Sequence, residues 1–281
     1  MPIGVAARTG LWTCVLGLSL FGCAGREPVS GTVREDVFAS RVASEDFTIL
    51  VRTPPSYEAS GDSKYPVIYQ LDATFLDEFD TCAATVSRLE EEGAIPESII
   101  VGIGHLESGP DLGREHDFVP ADPDNAQYDG RADKFYAFLH DELVPHVEST
   151  YRVAPGRALV GHSLGGLFAL YAFFQEDSNG QPFFDKVLAA DPSYGANDGV
   201  IFAFEEERSA LSRSRPGRLF LTASLYTGGA QAFPHAEMTH RIRTDFDDLE
   251  LESTYEPTDH GGLIQLSMEK GLPFLLEESS Q

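Results

Sequence analysis

Gly161-His162-Ser163-Leu164-Gly165-Gly166 contains the pattern G-x-S-x-G, which in the right setting offers a serine hydroxyl for attack on an acyl carbon. Five residues alone carry little weight, because the pattern arises by chance. The setting gives it force. Residues 157–161 read as a strand and residues 163–176 as a helix, so Ser163 falls in a tight strand-to-helix turn. Such a turn needs neighbours without bulk, and Gly161 and Gly165 supply the clearance. The helix that starts there aims unpaired N–H groups at charge developing on a substrate oxygen. The N–H of Leu164 is the expected first oxyanion donor. A phosphate-binding loop fits poorly, since no G-x-x-x-x-G-K-[ST] occurs.

A serine nucleophile needs a base that follows it in the chain, and His235, His240 and His260 qualify. His260 lies in Thr258-Asp259-His260-Gly261-Gly262, a polar loop between a short strand and the last helix, and is the expected general base. His235 and His240 flank Glu237 without forming H-E-x-x-H, so no metal and no cofactor is expected. His162 is expected to turn away from the site, and His140 and His146 to lie on a helix surface. A second oxyanion donor is expected from the loop Leu71-Asp72-Ala73, through the N–H of Ala73, with the Asp72 carboxylate bracing that loop by accepting backbone hydrogen bonds. His260 also wants a carboxylate on its far nitrogen. Asp191 directly follows the strand 186–190 and is the first choice. Glu237, or a Ser163–His260 dyad with no acid, remain open. His105, Arg114 and His116 are the candidate substrate contacts, on a long polar loop at residues 105–129 expected to frame the mouth.

The elements needed to hold these groups can be read from periodicity. Residues 32–38 and 47–51 read as antiparallel edge strands. Residues 66–71, 98–104, 157–161, 186–190, 218–223 and 252–256 read as strands, several of them continuous apolar runs suited to burial on both faces. Helices are expected at 77–92, 133–150 with a bend at Pro145, 163–176, 202–212, 234–249 and 263–276. Strands alternating with helices predict an α/β fold with a mostly parallel central sheet flanked by helices, and sites outside the carboxyl ends of its strands.

The chain of 281 residues is long enough for one large domain, expected at 32–281. Arg8 followed by an apolar run to Phe21 reads as an export signal, too short to span a bilayer. A small residue before Cys23 resembles a bacterial lipoprotein cleavage signal. Residues 1–22 are therefore an expected signal peptide, 23–31 a short tether, and Cys23 the site of lipidation. The expected location is the periplasmic or extracellular side of a membrane. Cys82 alone would remain in the folded part, so no internal disulfide is expected there. Asp and Glu total 45 against 20 Lys and Arg, for a formal charge of -25, and the acids are spread along the chain. Nucleic acid is excluded as a partner, and the dispersed acidity suits a high-salt habitat.

Taken together, Pro66-Val67-Ile68-Tyr69-Gln70-Leu71-Asp72, Tyr151-Arg152-Val153-Ala154-Pro155, Gly161 through Tyr171, Asp191-Pro192-Ser193 and Asp259-His260-Gly261 resemble the esterase family that includes enterobactin-type siderophore esterases and human esterase D. The resemblance spans about residues 45–277 and is strongest to bacterial members. It implies an α/β-hydrolase fold, a serine nucleophile, a catalytic histidine and small-molecule ester or lactone substrates. The family pattern also places an acid after the strand 219–223 in many members, where this chain has Ser224, Leu225 and Tyr226. It is poor in the basic groups that meet an anionic siderophore. The function implied is a serine hydrolase cleaving a carboxylic ester through an acyl-enzyme. The alternatives are an acyltransferase using the same acyl-enzyme and a catalytically silent binding protein on the same scaffold.

Overall fold

The computed structural model describes residues 28–75, 77–106, 113–121, 130–177, 179–226 and 229–277. The expected signal peptide, Cys23 and much of the 105–129 loop lie outside the described residues. Eight strands form one sheet: β1 (Thr32–Ser40), β2 (Glu45–Thr53), β3 (Val67–Gln70), β4 (Ile99–His105), β5 (Ala158–His162), β6 (Lys186–Ala190), β7 (Ser214–Ser224) and β8 (Asp247–Glu256). Their spatial order is β1-β2-β4-β3-β5-β6-β7-β8. β2 pairs antiparallel with both β1 and β4, and every pairing from β4 to β8 is parallel. This is the mostly parallel sheet of an α/β-hydrolase fold. β2 is therefore an inner strand, and only β1 of the first two lies at the edge.

The apolar runs of the central strands serve two cores at once, because alternate side chains leave opposite faces. Val67 and Tyr69 join a cluster with α3 (Ala132–Phe138), α4 (Val144–Thr150), α5 (Leu164–Phe174), α6 (Ile201–Leu211) and α7 (Gly229–Asp245). Ile68 and Val160 point the other way, to α1 (Glu78–Glu91) and α8 (Leu263–Leu276).

Three further expectations about elements are corrected. Residues 133–150 are not one evenly bent helix: a π turn at Leu139–Leu143 separates α3 from α4. Pro145 has no N–H to donate, so the preceding turn closes with the wider π spacing. α7 starts before Pro234 and ends at Asp245, and β8 is twice the length expected. β8 is rich in acids because one face is open; its half-buried Leu249 and Leu251 pack on the core.

Two glycines on β4 let the loop after β3 and the start of α1 settle on the sheet. A Cβ at Gly102 would overlap the Phe79 ring, and one at Gly104 would come within 2.4 Å of the Thr74 side chain. Residues 72–74 thus lie flat across the carboxyl end of β4, beside the end of β5 that carries Ser163.

Candidate active site

Ser163 sits between β5 and α5 with φ 58° and ψ -117°, a conformation that costs an L-residue roughly 1–3 kcal/mol. Its neighbours hold it there. The Ser163 N–H donates to the Ala190 carbonyl at 2.9 Å, and the Ser163 carbonyl accepts from Leu167 and Ser193, both at 3.0 Å. The glycines of the motif each make a close approach possible. A Cβ on Gly161 would stand 2.1 Å from the Gly165 carbonyl oxygen, and one on Gly166 would stand 2.9 Å from that of Ala190. The sequence is G-x-S-x-G-G because backbone, not side chain, packs against backbone at this elbow. The Ser163 hydroxyl lies 3.3 Å from that of Ser193.

His260 approaches from the loop between β8 and α8. Its Nδ1 is 2.6 Å from Oδ2 of Asp191, which is fully buried. A carboxylate only accepts, so Nδ1 carries the hydrogen, and in the neutral imidazole Nε2 is left with the lone pair. The second Asp191 oxygen accepts the Ser224 N–H at 3.2 Å. The Ser224 hydroxyl donates to the Thr258 carbonyl at 2.6 Å, tying the His260 loop to the end of β7. Asp191, the candidate acid, thus stands at the end of β6. Where the family pattern puts an acid after β7, Ser224 braces both partners instead. Glu237 is on the exposed surface of α7, paired with Arg241 at 2.8 Å. It does not approach His260.

Other expected residues fall differently. The Ala73 N–H donates to the Ile103 carbonyl at 3.0 Å. It is consumed in joining the loop to β4 and is not an oxyanion donor. Asp72 does brace its loop, but through a two-pronged ion pair with Arg114, at 2.6 and 2.8 Å, rather than through backbone bonds. Arg114 lies between the rings of Phe75 and Phe118, with its side chain 12% exposed. Its charge is spent on Asp72 rather than offered to a ligand. His105 is packed against Phe47, Phe118 and Phe135 and bonded to the buried Asp117 at 3.1 Å, so it supports the sheet end and does not line a mouth. His116 lies on the short helix α2 (Gly113–Asp117), and its carbonyl accepts the Arg131 N–H at 2.7 Å.

His162, expected to turn away, does leave the Ser163 side chain, but it turns towards the base. Its ring centroid is 4.5 Å from that of His260, and its Nε2 donates to the His260 carbonyl at 2.8 Å. The period of two along β5 could have shown this. His162 shares the face of Val160, the face on which α8 and the loop before it lie.

A sheet of this order, with a strained serine at an elbow and a carboxylate-bound histidine, defines a serine hydrolase of the α/β-hydrolase superfamily. The family model described as "Putative esterase" matches residues 40–181, and the chain belongs to that family. Among curated relatives, the ferri-bacillibactin esterase BesA of Bacillus subtilis is 29% identical over 203 residues, covering 66% of this chain and 68% of its own. Among solved structures, an IroE-like serine hydrolase from Shewanella oneidensis superposes with a TM-score of 0.73 at 25% identity, over 87% of this chain and 80% of that one. The BES protein from Bacillus cereus gives 0.72 at 25% identity, over 91% and 100%. The protein is a carboxylic ester hydrolase that works through an acyl-enzyme on small-molecule esters or lactones.

Proposed function

We propose that Ser163 is the nucleophile, His260 the general base and Asp191 the orienting acid of this esterase. The observation that carries the assignment is the 2.6 Å bond from His260 to the buried Asp191, made beside the elbow that presents Ser163. The Ser163 hydroxyl swings from Ser193 to Nε2 of His260, which takes its proton as Oγ bonds to the substrate carbonyl carbon. Asp191 stabilises the resulting imidazolium. The oxyanion is met by the N–H of Leu164 and by that of Thr74, which has no hydrogen-bond partner among the described residues. The imidazolium then gives its proton to the leaving alcohol. Water repeats the sequence on the acyl-enzyme and releases the acid.

The substrate we infer is an uncharged ester or lactone rather than a polyanionic complex. Arg114 and Arg131, the described cations nearest the carboxyl end of β4, are both engaged by carboxylates. Leu225 and Tyr226, which follow β7 at the site's edge, are exposed apolar surface. We further propose that one catalytic domain from residue 32 follows a cleaved signal and a tether lipidated at Cys23. Arg52 fixes where the described chain leaves the domain: it is fully buried and bonds the Ser30 carbonyl at 2.8 Å and Glu90 at 2.7 Å. Ser30 is thus held at the amino ends of the parallel strands, opposite Ser163. The domain would hang from its anchor with the site facing outward, at most about 25 Å of chain away.

Ser163→Ala, assayed on a panel of uncharged esters and lactones, tests the catalytic reading. Turnover should fall at least about a thousandfold with the fold unchanged by circular dichroism. Near wild-type turnover would overturn it.

A further inference from the structure

His162 and Glu78 are buried polar groups that the reaction above does not use. His162 closes β5 and Glu78 opens α1, and both side chains are 8% exposed. Nδ1 of His162 lies 3.2 Å from Oε1 of Glu78, while Nε2 faces the His260 carbonyl. That carbonyl can only accept, so Nε2 must carry the hydrogen. A neutral imidazole then has Nδ1 as an acceptor, and a donor is needed opposite it. Burial raises the Glu78 carboxyl above the ordinary carboxylate range, and the nearby Asp72 pushes the same way, against His162 and Arg114. A Glu78 acid that keeps its proton supplies that donor. An ionised Glu78 against an imidazolium would make the same two bonds, with the shared proton moved across.

We propose that Glu78 and His162 form a positioning strut for the base: Glu78 fixes the tautomer of His162, and His162 holds the His260 loop by its carbonyl and by ring contact. This rests on the reading of His260 as the base. The His260 loop has few other fixed points. Ser224 holds it at Thr258 and Asp191 holds the imidazole itself. Gly261 and Gly262 follow without a side chain to pack. The strut adds a side-chain hold on the backbone of the base, whose carbonyl otherwise accepts only the Leu263 N–H, at 3.4 Å, among the described residues. Neither residue touches the reacting atoms, and both act through where they put Nε2 of His260.

The test compares Glu78→Leu with Glu78→Gln, whose amide N–H can still donate to Nδ1. Glu78→Leu leaves the tautomer unset, and kcat should fall about ten- to a hundredfold, the scale of a misplaced catalytic group, with KM changed much less. Glu78→Gln should recover most of that loss. The downfield Nδ1–H resonance of His260 should broaden in Glu78→Leu and persist in Glu78→Gln. His162→Leu should lose as much as Glu78→Leu, and the double variant should lose no more than either. If Glu78→Leu does not fold, His162→Gln against His162→Leu gives the same contrast, since a Gln amide reaches the same carbonyl. Wild-type kcat in the leucine variants would overturn the strut. So would additive losses, or equal losses in Leu and Gln variants that track a fall in Tm. Ser163→Ala separates the two claims: if it remains active the triad reading fails, whatever the strut variants do.

Discussion

At the scale of single residues the proposed triad turns on one carboxylate. Asp191 is buried, takes the His260 Nδ1–H on one oxygen and the Ser224 N–H on the other, and so can face only one way. Asp191→Asn keeps the shape but presents an N–H or a weaker acceptor, which favours the wrong tautomer of His260. We expect kcat to fall by about four orders of magnitude with Tm little changed. Glu237→Gln should leave kcat unaffected, because that side chain is half exposed and paired with Arg241 on the surface of α7. If Asp191→Asn stays active as well, the site works as a dyad. The proposed roles of Ser163, His260 and Asp191 are suggested by the sequence because each lies near a strand end or a helix start at the carboxyl end of the sheet, a position that chain order reveals. Ala73 was misjudged because its N–H is claimed by a carbonyl of another strand, and such cross-strand pairings depend on register. The parts of His162, Glu78 and Ser224 were not read for the same reason: their partners are 84, 98 and 34 residues away.

At the scale of elements, the central strands and α5 were readable because long apolar runs leave little choice of structure. The boundaries of α7 and β8 were not. Their residues are polar, and what fixes them is a buried hydrogen-bonded chain between the two. His235 on α7 is fully buried, 3.2 Å from the Tyr194 hydroxyl and 2.9 Å from that of Ser253 on β8, which also meets Thr239. Burial lowers the His235 imidazole to about 4, against about 6.5 in an unfolded chain. The unfolded state therefore binds the extra proton first. The stabilisation is fully present above about pH 6.5 and is lost as pH falls through about 4, by up to about 3 kcal/mol. Urea midpoints measured from pH 7.5 to 4 should decline along this course, and His235→Gln should show a shallower decline. Equal slopes in the two proteins would remove His235 from the account.

At the scale of the whole molecule, two ends of one sheet have separate tasks. The amino ends of the strands receive the chain at Ser30, clamped by Arg52, Glu90 and Ser87. The carboxyl ends carry the chemistry. No helix among the described residues is long and apolar enough to cross a membrane, and the proposed attachment is the Cys23 lipid. Mass spectrometry of the mature protein from the membrane fraction should find a chain beginning at an acylated Cys23, and an unmodified start elsewhere would remove the anchor. Net charge and composition, legible from the outset, bear on solubility and disfavour nucleic acid as a partner, but they do not bear on catalysis. The claim on which the rest depends is that an acyl group passes through Ser163. Its most direct test is peptide mapping after treatment with an activated alkyl phosphonate, which traps a nucleophilic serine as a stable adduct. We expect one equivalent of label, on the peptide containing Ser163, and loss of esterase activity in step with labelling. A label on another residue, or full activity with Ser163 modified, would contradict the account.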